Sequence, residues 1–221
     1  MIMGDTVIGG VDEAGRGALI GPLVIAGVSI ESSKTSLLSD AHVKDSKALL
    51  PSTRSRLYDL IVSNAKKVYV IEVSPKEIDE YVLHGRKLRR LNYLESLKMA
   101  EIVDALEAEV VYVDSADVKP DRFAKEIQSA SKLKPKIVAE HHADQNYVIV
   151  SAASIVAKVT RDRRIEELAR KHGFFGSGYP SDPRTMKFVD DWVMVKGFLP
   201  DFVRKSWKSL KKVGVKRIDE Y

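Results

Sequence analysis

Three carboxylates stand where a globular domain seldom leaves them. Asp12 ends the apolar run Val7-Ile8-Gly9-Gly10-Val11, with Glu13 directly after it. Asp114 ends Val110-Val111-Tyr112-Val113, and Asp144 lies just past Ile137-Val138-Ala139, in Glu140-His141-His142-Ala143-Asp144. A single strand-terminal Asp is ordinarily a turn or cap residue. Three at the ends of separate apolar strands, one doubled by Glu, fit that reading poorly. In an open α/β sheet, functional groups collect outside the strand ends, and carboxylates gathered there repel one another and lose hydration. A hard divalent cation offsets both costs, because Mg²⁺ takes oxygen ligands and keeps several waters. Two such ions about 4 Å apart activate a water and stabilise the leaving oxygen in phosphodiester cleavage. Asp12 is best placed to bridge, with Glu13, Asp114 and Asp144 completing the two sites. Adjacent strand residues point to opposite faces, so Asp12 and Glu13 share a site only if the strand ends there, and Ala14-Gly15-Arg16-Gly17 supplies the ending.

Other chemistries find less support. The chain has no cysteine, which excludes a disulfide scaffold, a thiolate zinc site, an iron–sulfur cluster and a cysteine nucleophile together. His141 and His142 suit a softer metal, but five histidines without cysteine argue against zinc. Gly15-Arg16-Gly17 begins like a dinucleotide fingerprint. That fingerprint needs a helix next, whereas Ala18-Leu19-Ile20-Gly21-Pro22 leads into another strand. The flanking glycines instead let backbone approach a ligand closely, and Arg16 supplies a phosphate-facing charge.

Positioning these groups takes strands and helices in alternation. With 221 residues, 44% hydrophobic and 30% charged, the chain makes one large domain or one domain with a modest appendage. Residues 7–12, 22–30, 68–73, 110–114 and 136–139 read as short β-branched strands. Residues 54–64 carry Leu57, Leu60 and Ile61 at helical spacing. Ser74-Pro75-Lys76-Glu77 is a helix start with Ser as N-cap, and residues 86–107 form a long amphipathic pattern. Beyond about residue 146 the character changes: 147–171 reads as a long helix, 173–183 as a Gly/Pro loop, and 184–196 and 201–213 as two closing helices. The longest apolar stretch, residues 18–30, is broken by Gly21, Pro22 and Gly27 and is too short for a bilayer span. Without a leader-like N-terminus, the expectation is a cytoplasmic protein.

Charge is uneven. Lys plus Arg number 36 against 31 Asp plus Glu, a net +5 that suits a polyanion partner. Between residues 196 and 217 stand eight basic residues, Arg204 among them, against the single acid Asp201. The segment is either a solvated helix face or a phosphate-tracking surface, with Trp207 available for packing or stacking. His84-Gly85-Arg86-Lys87 with Arg89-Arg90 allows the same two readings.

Six motifs in order resemble type 2 ribonuclease H (ribonuclease HII), in particular its archaeal branch. They are Gly10-Val11-Asp12-Glu13-Ala14-Gly15-Arg16-Gly17, Lys44-Asp45-Ser46-Lys47, Val113-Asp114-Ser115, Ala143-Asp144, Ser151-Ala152-Ala153-Ser154-Ile155-Val156-Ala157-Lys158 and Gly178-Tyr179-Pro180-Ser181-Asp182-Pro183. Each is weak alone; their order and spacing are specific. The resemblance implies an α/β ribonuclease H-like fold with a mixed five-stranded sheet flanked by helices. A catalytic domain would span 1–172, and a basic, helical, substrate-binding region 173–221. It also implies an endonuclease that hydrolyses the RNA strand of RNA/DNA hybrids and incises 5′ of ribonucleotides embedded in duplex DNA. The reaction would use a two-ion Mg²⁺ or Mn²⁺ site and leave 3′-hydroxyl and 5′-phosphate ends. Carried over by position, Asp12, Glu13, Asp114 and Asp144 match the metal-binding acids. Gly15, Arg16 and Gly17 match the segment that reads the ribose 2′-hydroxyl, largely through backbone. Tyr179 matches a tyrosine stacked on the following deoxyribose, and Lys47 and Ser154 match phosphate contacts. His142 stands where many archaeal relatives carry lysine. Some archaeal members end in a sliding-clamp-binding motif; residues 213–221 lack the Gln-x-x-aliphatic-x-x-aromatic-aromatic pattern, so clamp binding is not expected, and a monomer is. Two rival readings remain at this point, a DNA nuclease using similar acids and a non-catalytic nucleic-acid-binding protein.

Overall fold

The computed structural model describes residues 5–43, 50–85 and 90–212. Its elements run β1 (Val7–Ala14), β2 (Leu23–Glu31), α1 (Thr35–Asp40), α2 (Pro51–Asn64), β3 (Lys67–Val73), α3 (Pro75–His84), α4 (Arg90–Leu106), β4 (Val110–Asp114), α5 (Pro120–Ala130), β5 (Lys136–Glu140), α6 (Ala143–Asn146), α7 (Val148–His172) and α8 (Pro183–Lys196), then a 3₁₀ turn at Lys208–Lys212. The strands form one sheet in the order β3-β2-β1-β4-β5. β1 and β2, and β2 and β3, pair antiparallel; β1 and β4, and β4 and β5, pair parallel. The mixed five-stranded sheet expected from the resemblance is therefore present.

Strand alternation sends side chains into two helical layers. Ile8 and Ala14 of β1, with Val24, Ala26 and Val28 of β2, pack against α2 and α7. Val7 and Val11, with Leu23, Ile25, Val111 and Val113, pack against α4 and α5. A third, smaller cluster joins Leu19 and Ile20 to Phe175, Val189 and Val203, so the C-terminal region is seated on the loop that follows β1. Residues 149–157 of α7 are buried without interruption, because this half of the helix lies against the sheet with other elements around it. Its approach to β1 depends on Gly10, where a Cβ would overlap the backbone carbonyl of Ile149.

Several expectations change in detail. β1 runs on past Asp12 to Ala14. The amphipathic pattern at 86–107 yields α4 from Arg90, and residues 86–89 lie outside the described residues. The Ser74 cap forms as read, its Oγ accepting the Glu77 N–H at 3.2 Å. α1 and α5 were not anticipated, although Phe123 and Ile127 of α5 are a buried i, i+4 pair behind a proline at the first turn. The helix expected over 201–213 does not form across 201–207. Val203 instead bridges Ile20, Gly21 N–H bonds the Phe202 carbonyl, and Arg204 N–H bonds the Leu19 carbonyl, so this backbone is spent on the β1–β2 loop. Among the described residues no helix is long and apolar enough to cross a membrane.

Gly10→Ala forces α7 off the sheet and should cost about 3 kcal/mol of stability, seen as a fall in melting temperature by thermal denaturation. An unchanged melt would contradict the packing described.

Candidate active site

The parallel register brings two of the acids together. Val11 is level with Val113, so Asp12 and Asp114 are the next pair along, on strands about 4.8 Å apart. Both leave the sheet on the α7 side, the side of Tyr112 and Ala14. Asp12 is 4% exposed, accepts the Glu13 N–H at 2.7 Å and accepts a hydrogen bond from the Ser154 hydroxyl. Burial pushes its carboxyl up to about 7; the Ser154 bond pulls against this, and the Asp114 charge adds to it. Lys158 Nζ donates to Ser154 Oγ at 2.9 Å and lends Asp12 a nearby positive charge. Asp114 Oδ1 accepts the Ala143 N–H at 2.9 Å, which ties down α6. Asp144 sits on that short helix, buried, and its carbonyl accepts the Ser151 hydroxyl.

Glu13 interacts with Asp12 although β1 does not end at Asp12. Because β1 continues to Ala14, strand alternation starts the two side chains on opposite faces, yet the Glu13 carboxyl stays near enough to feel the Asp12 and Asp114 charges and lines the groove with Lys158. Burial, and then the charges of Asp12, Glu95 and Asp114, raise its proton affinity well above the ordinary carboxylate range, with Arg16 only partly offsetting them. Glu13 Oε2 is buried without a hydrogen-bond partner.

The Arg16 guanidinium is held by α4. Its Nε donates to Glu95 Oε1 at 2.9 Å, and Nη2 donates to Asn92 Oδ1 at 2.8 Å. Glu95 is fully buried, and burial holds its carboxyl up near 7 against the pull of Arg16. The arginine side chain is thus bound to α4, and residues 15–17 line the groove. Gly15 has φ +82°, and a Cβ there would strike Arg161. Gly17 is exposed, and a Cβ would meet no protein atom within 4 Å. The fold does not need glycine at 17.

Across the groove lies Tyr179, half-buried on the loop before α8. The Arg161 guanidinium lies 4.7 Å from its ring centroid and donates to the Ser177 carbonyl at 3.2 Å. Gly178 O accepts the Leu19 and Ile20 N–H groups at 2.8 and 3.0 Å, joining the two walls. Arg54, Lys158 and Arg163 add positive charge along the same groove. Ser154 is buried and bonded to Asp12 rather than open at the surface. Lys47 lies outside the described residues, as do Arg86 to Arg89 of the second basic cluster. Of the C-terminal basic run, Arg204 is buried while Lys205 and Lys208 are exposed.

Sequence reasoning missed Glu95, Asn92 and Arg161. A signal existed for the last: Ser151, Ser154, Lys158 and Arg161 recur at spacings of three and four on one helix face. Glu95 offered none, since an acid inside an amphipathic pattern ordinarily marks the wet side.

The donor set suits hard divalent ions. It is all oxygen, its acids repel, and Glu13 carries a buried oxygen with no donor. His141 and His142 are exposed. Among the described residues no three acids or histidines already close into a ligand cage, so ion binding would complete the cluster.

Residues 9–210 match the family model for ribonuclease HII. Ribonuclease HII of Pyrococcus abyssi (strain GE5 / Orsay) is 48% identical over 208 residues, covering 93% of this chain and 90% of that protein. The Thermofilum pendens ribonuclease HII is 44% identical over 210 residues, 93% of this chain and 98% of that one. Among solved structures, ribonuclease H2 from Pyrococcus horikoshii OT3 superposes with a TM-score of 0.87 at 45% identity, covering 94% of this chain and 97% of that chain. The PCNA:RNase HII complex from Archaeoglobus fulgidus gives 0.85 at 41%, over 97% and 100%. Bst-RNase HIII in complex with Mn²⁺ gives 0.78 at 20% identity, over 96% and 70%, a likeness of fold. The matched span takes in the acidic strand ends, the glycine loop and the Tyr179 wall, and the chain belongs to the ribonuclease HII family, endonucleases that cleave the RNA strand of RNA/DNA hybrids.

Proposed function

We propose that this protein cuts on the 5′ side of a ribonucleotide, whether the ribonucleotide is single in duplex DNA or part of a hybrid, and leaves 3′-hydroxyl and 5′-phosphate ends. Asp12, Glu13, Asp114 and Asp144 would hold two divalent ions. The observation that carries this reading is the level pair Asp12 and Asp114 beside a glycine loop whose outer glycine the fold does not require. Bound there, Mg²⁺ or Mn²⁺ would activate the attacking water and stabilise the departing 3′-oxygen.

The chain's own residues orient the reaction. Ser154 and the Glu13 N–H fix the Asp12 carboxylate, with Lys158 behind Ser154, so we assign Ser154 to holding Asp12. The Ala143 N–H fixes Asp114. The ribose 2′-hydroxyl, donor and acceptor at once, is the group that separates RNA from DNA at one position, and the Arg16 and Gly17 N–H groups, which donate to no other group among the described residues, are available to test for it. Tyr179, with Arg161 against its ring, would stack on the next sugar. Lys47 would meet a phosphate, and residues 173–221 would act as the substrate-binding region beside a catalytic part ending near 172. The Archaeoglobus relative is solved with PCNA; residues 213–221 here lack the expected motif, and no clamp contact is part of this proposal.

The deciding test is a labelled duplex carrying one ribonucleotide, beside an all-DNA duplex, with Mg²⁺ and with EDTA. A metal-dependent nick immediately 5′ of the ribonucleotide, absent from all-DNA, is the expected result. Equal cutting of both duplexes would favour the DNA-nuclease reading. Asp12→Asn and Asp114→Asn should each lower turnover by at least about a thousandfold while leaving the fold intact by circular dichroism; near-normal turnover in either would refute the ion assignment.

Ion binding also has a readout apart from activity. The raised Asp12 carboxyl means the fold disfavours its ionisation, so that contribution to stability is complete below about pH 4 and lost as pH rises towards about 7. The metal-free protein should melt several degrees lower at pH 8 than at pH 5, with about 2–4 °C for each kcal/mol. Mg²⁺ should restore the melt at pH 8, and Asp12→Asn should shrink both effects. Equal melting at the two pH values, with no response to Mg²⁺, would count against the cluster as an ion site.

Gly17→Ala places a methyl group in open space. Its melting temperature should stay within about 2 °C of the parent, while kcat/KM on the single-ribonucleotide duplex drops about tenfold or more. A normal kcat/KM would mean that no substrate backbone or sugar comes close to residue 17.

A further inference from the structure

Arg204 has no exposed surface at all. A guanidinium taken out of water must find acceptors for its N–H groups, or its burial is strongly destabilising. Its acceptors here are carbonyls of one loop: Gly15 O at 2.7 Å from Nη2, Arg16 O at 2.9 Å from Nη1 and Gly21 O at 3.1 Å from Nε. The Trp207 ring lies 4.9 Å from the guanidinium carbon, and its Nε1–H donates to Gly17 O at 3.3 Å. The intervening turn is itself anchored, because Asp79 of α3 accepts the Lys205 N–H at 2.8 Å and the Ser206 N–H at 2.9 Å. One turn of chain, far away in sequence, therefore holds the carbonyls of residues 15, 16 and 17 together.

Holding those carbonyls fixes the N–H groups. In a planar trans peptide the C=O and the N–H of the same unit point in opposite directions. Securing the Gly15 and Arg16 carbonyls against Arg204 turns the Arg16 and Gly17 N–H groups away from it. Residues 15–17 line the groove, and these N–H groups are what the loop has left to offer there. The Ala18 N–H is already used, donating to Gly15 O at 3.2 Å, whereas the Arg16 and Gly17 N–H groups donate to no other group among the described residues. The Arg16 side chain, drawn to Glu95 and Asn92, lies off them.

We propose that Arg204 and Trp207 are positioning residues for ribose recognition: by fixing the Gly15, Arg16 and Gly17 carbonyls they aim the Arg16 and Gly17 N–H groups at the ribose 2′-oxygen and so set the preference for ribonucleotide over deoxyribonucleotide. This rests on the reading of residues 15–17 as the ribose-sensing loop. A guanidinium suits the task because its planar fork reaches three carbonyls at once, which a lysine ammonium on a flexible stem does not reproduce. A purely structural Arg204 would tie the C-terminal turn to the domain, and its loss would lower stability without altering how the folded enzyme tells the two sugars apart.

The test uses the full chain and two quantities: kcat/KM on a duplex with one ribonucleotide, and Ki of the all-DNA duplex of the same sequence as a competitor. The product of the two measures ribose preference, while Ki alone reports backbone-phosphate binding. Arg204→Gln should lower the product about tenfold, as expected for lost charge-assisted hydrogen bonds, with Ki unchanged within about twofold. Arg204→Lys should fall between Arg204→Gln and the parent. Trp207→Phe keeps an aromatic ring and removes only the N–H, and should lower the product about threefold at a nearly unchanged melting temperature. If Arg204→Gln does not fold, Trp207→Phe decides. A parental product in folded Arg204→Gln, or in Trp207→Phe when the former cannot be made, overturns the proposal. Gly17→Ala in the same assay separates the two levels: if it also leaves the product unchanged, the loop does not sense ribose; if it lowers the product while the Arg204 and Trp207 variants do not, the positioning role alone fails.

Discussion

Repulsion between carboxylates at the ends of β1 and β4 is the constraint around which the rest of this structure is arranged. Parallel pairing places Asp12 and Asp114 level, on one face and within a strand spacing of each other, with water largely excluded from Asp12. Left alone, such a pair keeps a proton or pushes the strands apart. Every neighbouring element supplies something against that outcome. α7 brings the Ser154 hydroxyl and the Lys158 charge, α6 brings the Ala143 N–H, and the strand itself turns the Glu13 N–H back onto Asp12. None of these neutralises the cluster: Asp12 and Glu13 still hold their protons more tightly than ordinary carboxyls, and Glu13 keeps a bare buried oxygen. The fold stabilises an unfinished charge balance, which is the form expected of a site that waits for cations.

That arrangement needs α7 very close to the sheet, and the sequence there is built for closeness. Gly10 clears space for the Ile149 carbonyl, and Ser151, Ala152, Ala153, Ser154 and Ala157 keep the helix thin where it lies on β1. A larger residue at 10 would move Ser154 and Lys158 away from Asp12 as well as open the core. Packing and chemistry are coupled through the same few contacts, so stability changes on this face and changes at the acids are not independent.

Much of this was legible in the sequence, and what was not has a common cause. Five strands and most of the larger helices follow from β-branched runs, 3.6-residue periodicity and caps such as Ser74, all of which are local signals. Asp12, Asp114 and Asp144 stand out in the sequence because a charged residue at the end of an apolar run breaks a local rule, and the register brings Asp12 and Asp114 level. Arg204 and the segment 201–207 were misread as part of a basic helix, since nothing near them in the chain reveals carbonyls that come from residues 15–21. The partners of Arg16, Asn92 and Glu95, are illegible for the same reason, lying more than seventy residues away. Glu13 is expected beside a strand end, whereas β1 pairs on to Ala14 and Glu13 meets Asp12 and Asp114 from within the strand. Long-range polar contacts chose these conformations, and single-sequence patterns do not register them.

The same contacts explain why the basic C-terminal run is not one surface. Arg204 and Lys205 are neighbours in sequence yet do opposite things, the first buried under the glycine loop and the second exposed with its N–H on Asp79. On the proposed reading, a backbone that distinguishes one hydroxyl from a hydrogen needs its donors held to within a fraction of an ångström, and glycines flanking the loop make it soft. Stiffness therefore has to come from outside the loop. Arg16 ties it to α4, Arg161 fills the space against Gly15, and Arg204 with Trp207 holds the carbonyls from behind. Arg16, Arg161 and Arg204 all donate to acceptors within the protein, so net charge is a poor guide to which cations face a polyanion.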